Sequence, residues 1–488
     1  MNGWPGKPET VKLLKSKKFY ITTPIYYVND RPHIGHAYTT IAADMLARYH
    51  RLQGDEVTFL TGTDENAQKT VDAAAKSGEN VKAYTDRLAD IWKSTWDKLD
   101  ISNTDFIRTT EERHIRVVQE IWKRIWDNGD IYKGKYEGLY CNGHETFMKE
   151  TDLVDGICPD HKTKPEWIVE ENYFFNLKKY EKDLLKFYED NPDFVTPVNR
   201  LNEVKSFVQQ GLENISVSRE KQKWGIPVPS DPKHVIYVWF DALINYISAV
   251  GIDGWIEHPA DIHTVGKDII RFHAVIWPAM LLSAKLPLPR QIMTNGFFTI
   301  DGIKISKSLG NAIDPVELVD KYGVDALRYF LLREIPYGED GDFSETKFRE
   351  RYNGELANGL GNFAARVLTL ACKYDNLPRL LNLPTVLSES LAKTRQLVAR
   401  HMDRFKFHET LEEIWELVSI GDAYMDSQKP WEKGDHRNTV AELTIFLLNI
   451  GEILEPFLPS TAEEIEKCIT LTDPVIKVQK GKILFPRL

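Results

Sequence analysis

Only four cysteines, Cys141, Cys158, Cys372 and Cys468, occur in 488 residues. That is too few for a disulfide scaffold and fits a reducing compartment such as the cytoplasm. No run of 18 apolar residues is present, which excludes a transmembrane helix. Met1 to Lys18 holds Gly, Pro and Lys but not the apolar stretch of a secretory signal, and reads as a frayed tail. Internal repeats and low-complexity segments are missing too. Basic charge is in short supply: 62 Lys and Arg stand against 72 Asp and Glu, for a net charge of −10 and a pI of about 5.8. This excludes indiscriminate coating of nucleic acid, which needs a basic surface, yet leaves room for one local basic face that binds RNA.

What is there is ordinary globular composition, 42% hydrophobic and 27% charged, at a length that implies two to four domains. Phe19-Tyr-Ile-Thr-Thr23 is a β-rich run. Ala37 to Gln53 carries Ile41, Met45, Tyr49 and Leu52 at helical spacing and stops at Gly54, and Val57-Thr-Phe-Leu-Thr61 is a second strand. Strand, helix, strand at this length is a βαβ unit, the opening of a doubly wound, Rossmann-like α/β domain. Arg113 to Trp126 forms a helical stripe that ends at Asn128-Gly129. From about Ile131 to Trp224 the chain becomes rich in Gly, Asn, aromatics and charge, which reads as an insertion. Val235 to Phe240, Ile262 to Val265 and Ile292 to Thr299 read as strands, and Asp268 to Ala284 as a helix. From about Phe348 onward the pattern is nearly all helical, with Phe363 to Cys372, Leu391 to Phe405, Leu411 to Met425 and Thr439 to Leu454. The expected layout is a tail over 1–18, the α/β domain over 19–130 and 234–300, the insertion over 131–233, a loop region over 301–347, and a helical domain over 348–488.

Two short strings carry chemistry. His33-Ile-Gly-His36 lies between a strand end and a helix start, where unpaired N–H groups and a partial positive charge draw phosphate. Gly35 leaves the backbone open to a flat ring. Lys304-Ile-Ser-Lys-Ser308 follows a strand and the Asp301-Gly302 turn, and two lysines on such a loop can neutralise charge that builds on a triphosphate. Alone, the first string could be capping residues and the second a solvated loop. Together, in this order and on this fold, they resemble the HIGH and KMSKS signatures of class I aminoacyl-tRNA synthetases.

The resemblance narrows to the methionyl-tRNA synthetase family. It is carried by Thr22-Thr-Pro-Ile-Tyr-Tyr-Val-Asn-Asp-Arg-Pro-His-Ile-Gly-His36, Gly62-Thr-Asp-Glu65, Tyr237-Val-Trp-Phe-Asp-Ala-Leu243, Gly266-Lys-Asp268 with Phe272-His273 and Trp277-Pro278, and Lys429-Pro-Trp431. It runs from about Phe19 to Pro456. It implies that methionine and ATP form methionyl-adenylate with release of pyrophosphate, and that the acyl group then passes to the terminal adenosine of tRNA(Met). No protein nucleophile is needed; catalysis is positioning and charge stabilisation. The resemblance assigns ATP phosphates to His33, Gly35 and His36, pyrophosphate to Lys304 and Lys307, the ribose side to Asp268, and Mg2+ to the nucleotide. It assigns the methionine pocket to Ile25, Tyr27, Asp64, Trp239, Tyr246, His273 and Trp277, with Asp64 receiving the ammonium. Aromatic faces suit a flexible thioether, although without the resemblance Trp239 and Trp277 would read as core. The family often continues Gly-Thr-Asp-Glu with His-Gly, where this chain has Asn66-Ala67. The role of that histidine does not transfer.

Cys141-Asn-Gly-His144 and Cys158-Pro-Asp-His161 are two halves that can place two thiolates and two imidazoles on one structural zinc ion; the other reading is a loop held by hydrogen bonds. Relatives usually carry a second cysteine where His144 stands. Cys372 and Cys468 fall in helical patterns and read as core. The resemblance further implies that Asn362, Arg366 and Trp431 read the anticodon, the first two on one helix face and the third by stacking. It also implies a monomer, since the chain ends at Leu488 without an added dimerisation domain. The alternatives are another class I synthetase, such as the small cysteine enzyme, or a small-molecule nucleotidyltransferase that shares the first histidine motif but is usually shorter. A non-catalytic zinc-knuckle RNA-binding protein would not need Asp64, the histidines and the lysines together.

Overall fold

The computed structural model describes residues 16–141, 146–148, 150–159, 162–300, 303–304 and 312–488. A parallel sheet forms its centre. The chain runs through β1 (Lys18–Tyr27), α1 (Ile34–Leu52), β2 (Glu56–Asp64), α2 (Val81–Lys98), β3 (Asp105–Arg108) and α3 (Glu112–Asp127). Later segments add β4 (Val195–Thr196), α4 (Val238–Leu243), α5 (Asn245–Glu257), β5 (Ile262–Gly266), α6 (Trp277–Ser283) and β6 (Gln291–Asn295). Across the sheet the order is β3-β2-β1-β5-β6-β4, with every neighbouring pair parallel.

Strand order reverses between β1 and β5, the place where an α/β sheet opens a crevice at its carboxyl ends. The local cause is in the sequence. Pairing of β1 with β5 stops at Thr22 opposite His263, and the register of β1 against β2 shifts between Thr22 and Ile25. Pro24 lies inside that shift and has no N–H to give to a ladder. Beyond Thr22 the two halves of the sheet therefore part.

The helical region follows, with α7 (Val324–Arg333), α8 (Asn362–Ala371), α9 (Thr385–Met402), α10 (Phe407–Gln428) and α11 (Arg437–Leu454). One apolar core runs from β1 through α1 into these helices, and a second covers the other face of the sheet with α3, α5 and α6. A buried ion pair joins the parts. Asp44 on α1 and Arg328 on α7, both 0% exposed, lie 2.7 Å apart. Arg328 also donates to the carbonyls of Phe457 at 2.9 Å and Pro456 at 3.1 Å. Asp44 accepts from the N–H and the hydroxyl of Ser102, each at 2.6 Å, and from Arg48 Nε at 2.8 Å.

Several expectations change. The Val235 to Phe240 run is a strand only to Ile236, in a small antiparallel sheet, and then becomes α4. Val238, Phe240, Ala242 and Leu243 are all buried there, and burial on every side erases the periodicity that separates helix from strand. The helix expected over Asp268 to Ala284 is a 3-10 turn, a π turn and α6, with Pro278 in the first turn of α6. The expected strand over Ile292 to Thr299 breaks at Gly296, where a Cβ would come 2.1 Å from the Glu339 carbonyl oxygen. The insertion carries a four-stranded antiparallel sheet built on Ile131–Cys141 and Glu166–Phe175, but it also lends β4 to the edge of the central sheet. The helical region ends in a small three-stranded sheet of Leu377–Pro378, Ile469–Thr472 and Val475–Val478. Cys468 is buried as expected, whereas Cys372 is exposed, because it sits at the C-terminal end of α8.

Candidate active site

The split after Thr22 makes two sites, one on each side of the outgoing chain. On one side, α1 begins with a reciprocal cap made by the two histidines. His33 Nδ1 accepts from the Gly35 N–H at 3.1 Å, and His36 Nδ1 accepts from the His33 N–H at 3.2 Å. The rings stack at 3.7 Å and 23°. Because both Nδ1 atoms accept, each neutral ring carries its proton on Nε2, a donor suited to a phosphate oxygen. A Cβ at Gly35 would lie 2.9 Å from His33 Cε1, so a side chain there would have to displace the capping ring. The Ile34 N–H donates to Ile313 O at 3.0 Å, and His36 and Ala37 donate back to His33 O. The first-turn N–H groups are thus already hydrogen-bonded, and the anion-binding capacity shifts from the backbone to the imidazoles. Trp92 on α2 and Tyr26 on β1 hold the His36 ring at 4.9 and 5.0 Å, and Trp92 is itself fixed by donating to Asp30 O at 3.1 Å.

Across the chain lies a cavity of about 20 Å³. Pro24, Ile25 and Tyr27 line it from β1, Asp64 from the end of β2, Trp239, Ala242 and Leu243 from α4, Asn245 and Tyr246 from α5, and His273 from the π turn. Tyr27 and Asp64 are register partners, so the carboxylate stands at the mouth of the split. Trp239 stacks on Phe272 at 3.9 Å and 12°, and meets Tyr27 edge-on at 6.2 Å. The space is that of about one water, so an unbranched side chain enters only when these rings move apart.

Behind the cavity, neutral histidines order the aromatic layer. His273 donates from Nδ1 to Ile269 O at 3.0 Å and accepts at Nε2 from the Tyr246 hydroxyl at 2.7 Å. Burial pushes its imidazolium down to about 4. His263 accepts at Nε2 from Trp277 Nε1 at 3.3 Å and faces Thr22 Oγ1 from Nδ1 at 2.7 Å. It too is held well below the ordinary histidine range, by burial and then by His273. Trp277 is 0% exposed and does not line the cavity; it stands one layer back, 5.9 Å from Tyr246.

Asp268 is exposed at the carboxyl end of β5, across the split from β1. Lys304 pairs with Thr299 through its backbone; its side chain and Lys307 lie outside the described residues. So do His144 and His161. Cys141 and Cys158 are described and buried at 1% and 0%. The Cys158 N–H donates to Thr163 O and its carbonyl accepts from the Lys162 N–H, both at 2.9 Å. Among the described residues no three metal-ligating side chains cluster. Far along the chain, Arg366 on α8 bonds to Asp422 at 2.8 Å and Asp426 at 2.6 Å on α10. Its guanidinium lies 5.6 Å from the ring of Trp431, which is 48% exposed. Asn362, one turn before Arg366, is exposed.

Sequence reasoning missed Pro24, Ala242, Leu243 and Asn245 as cavity walls. Ala242 and Leu243 follow Trp239 by three and four residues, the spacing of one helix face, a signal hidden by reading the segment as a strand. No helix of the described residues is long and apolar enough to cross a membrane.

The family described as "tRNA synthetases class I (M)" matches residues 19–166 and 151–368, and "Anticodon-binding domain of tRNA ligase" matches 385–482. The methionine–tRNA ligase of Caldanaerobacter subterraneus subsp. tengcongensis is 44% identical, over 97% of this chain and 79% of that protein. That of Rickettsia conorii is 45% identical over 91% of each. The structure of Mycobacterium tuberculosis methionyl-tRNA synthetase in complex with methionyl-adenylate superposes with a TM-score of 0.91 at 38% identity, covering 96% of this chain and 100% of that one. The apo form of that protein gives 0.84 at 36% identity, over 97% and 98%.

Proposed function

The chain belongs to the class I methionyl-tRNA synthetases, and from that membership and the paired sites at the end of β1 we propose how it works. It activates L-methionine with ATP to methionyl-adenylate and pyrophosphate, then charges the terminal adenosine of tRNA(Met). Asp64 receives the substrate ammonium as a charge-assisted bond. Trp239, Tyr246, Ile25 and Tyr27 enclose the thioether, with His273 fixing the Tyr246 hydroxyl and Trp277 supporting the layer from behind. The Nε2 donors of His33 and His36 hold the phosphates, Asp268 faces the ribose, and Lys304 and Lys307 neutralise the leaving pyrophosphate. The carboxylate attacks the α-phosphate in line, so each part contributes by placement and by charge stabilisation in a site that excludes water. ATP enters with Mg2+, which balances part of its charge. The observation that carries this reading is geometric: a carboxylate-lined aromatic cavity and a two-histidine anion site flank a single strand end.

Asn362, Arg366 and Trp431 form the anticodon face in the same reading, supported by the 5.6 Å approach of Arg366 to Trp431. Zinc fits the donor set of Cys141, His144, Cys158 and His161, and such an ion would have a structural role. Both substrate sites and the anticodon face belong to one chain, in keeping with a monomer. A cytoplasmic setting accords with the small number of cysteines.

Amino-acid-dependent ATP–pyrophosphate exchange tests the reading, with methionine, leucine, isoleucine, valine, cysteine and homocysteine compared. The expected result is exchange strongest with methionine and abolished by His36→Ala or Lys307→Ala. Stronger exchange with another amino acid overturns the pocket assignment.

A further inference from the structure

Beneath Asp64 lies a buried polar layer whose own residues do not line the cavity. Asn66, two residues on, is 3% exposed. Its N–H donates to Asp64 Oδ1 at 3.3 Å, and its side-chain amide donates to Asp241 Oδ2 at 3.1 Å and to Thr109 O at 3.4 Å. Asp241 is 0% exposed and belongs to α4, the helix that carries Trp239. Its other oxygen lies 3.9 Å from Nε2 of His114, also fully buried. His114 Nδ1 faces the Ser248 hydroxyl at 3.0 Å, and that hydroxyl donates to Ile244 O. The backbone around Asn66 is pinned from the far side as well: Gln222 Nε2 donates to Asn66 O at 2.8 Å and Trp224 Nε1 to Glu65 O at 2.7 Å.

The topology makes the Asn66–Asp241 bond informative. Asp64 and Trp239 both line the cavity, one from the end of β2 and the other from α4, elements far apart in the chain. Asn66 bridges the two elements directly, its N–H on the lining carboxylate of Asp64 and its side-chain amide on the buried carboxylate of Asp241 in α4. We propose that Asn66 is a positioning residue: by clamping Asp241 it sets the spacing between the carboxylate that takes the substrate ammonium and the ring that receives the side chain. The cavity is thereby gauged for one substrate length. A charge-assisted bond buried on both sides has the strength for this, and its loss leaves the Asp241 carboxylate short of a donor.

This rests on the methionine-activating reading, and the experiment separates the two. Full-length wild type, Asn66→Ala, Asp241→Ala and the double variant are compared in ATP–pyrophosphate exchange, with KM measured separately for methionine and ATP. The expected result for Asn66→Ala is a methionine KM raised about 10- to 100-fold, the range of a lost bond to a charged group, with the ATP KM unchanged within about twofold. The double variant should be no worse than the poorer single, because both remove one bond. Asp241→Asn, which can accept the same bond, should raise the methionine KM less than Asp241→Ala. The ratio of methionine to ethionine activation should fall in Asn66→Ala as the gauge loosens. Where the alanine variant does not fold, Asn66→Ser, too short to reach Asp241, gives the same reading. Equal rises in both KM values, a loss confined to kcat, or single effects that multiply overturn the clamp. Absence of methionine-dependent exchange in the wild type overturns the parent reading instead.

Discussion

Replacing Arg328 with methionine should destabilise the whole molecule in a pH-dependent way. In the native protein burial alone would raise the Asp44 carboxyl, but Arg328, Arg48 and the two Ser102 bonds outweigh it and hold the group below the usual carboxylate range. A depressed folded value means that the contribution is complete above the unfolded value of about 4 and is lost only as pH falls further. In Arg328→Met the balance reverses: Asp44 keeps Arg48 but loses its fully buried partner, and the carbonyls of Pro456 and Phe457 lose their donor. Breaking a buried pair from one side costs about 3–5 kcal/mol. For a chain of 488 residues that lowers the melting temperature by roughly 3–5 °C. The deficit should be largest near pH 8 and shrink toward pH 5, because the stranded carboxyl now titrates above its unfolded value and protonation removes the buried charge. Removing both charges with Asp44→Leu and Arg328→Met should recover much of the loss. Calorimetric melts of the four proteins at pH 5, 6.5 and 8 check this. A deficit for Arg328→Met that does not change with pH, or a double variant as unstable as the sum of the singles, would refute the reasoning.

Other outcomes follow from the same geometry. His114, His263 and His273 are buried and neutral, and burial holds His114 at about 3 and His273 at about 4. The unfolded chain therefore binds protons near pH 6.5 that the folded one refuses. Stability should be full above that pH and fall below it, His273 alone costing roughly 3 kcal/mol by pH 4; urea titrations at pH 7, 6 and 5 measure the slope. Trp431→Ala should raise the KM for tRNA about 5- to 150-fold, the range of one lost base stack, and leave pyrophosphate exchange unaltered. Trp92→Phe, which removes the bond to Asp30 O and shifts the ring beside His36, should raise the KM for ATP several-fold but not that for methionine. Metal analysis of the purified chain should find one zinc, with the content lost in Cys158→Ser.

The sequence made the βαβ opening legible because β1, α1 and β2 are amphipathic or apolar in the standard periods and end at clear signals such as Gly54. The two histidines and Asp64 were legible through their neighbours in the chain. What could not be seen was set by tertiary surroundings. Apart from Asp241, Tyr237 to Leu243 is apolar or aromatic throughout, so strand and helix look alike in it, and with the helix went Ala242 and Leu243. Val195 and Thr196 join the central sheet from inside the insertion, and nothing in two residues signals which sheet they will enter. The partnership of Asp44 with Arg328 spans most of the chain and leaves no local trace.

The break at Thr22 also bears on how the chain is made. β1 pairs with β5, which begins about 235 residues later. At 5–20 residues per second, synthesis leaves one edge of β1 without its partner for roughly 10–50 s. An apolar strand edge left open that long is a template for wrong pairing with other nascent chains. Pro24 cannot extend such a ladder, so the residue that parts the finished sheet also shortens the exposed edge while the rest of the protein is still being synthesised.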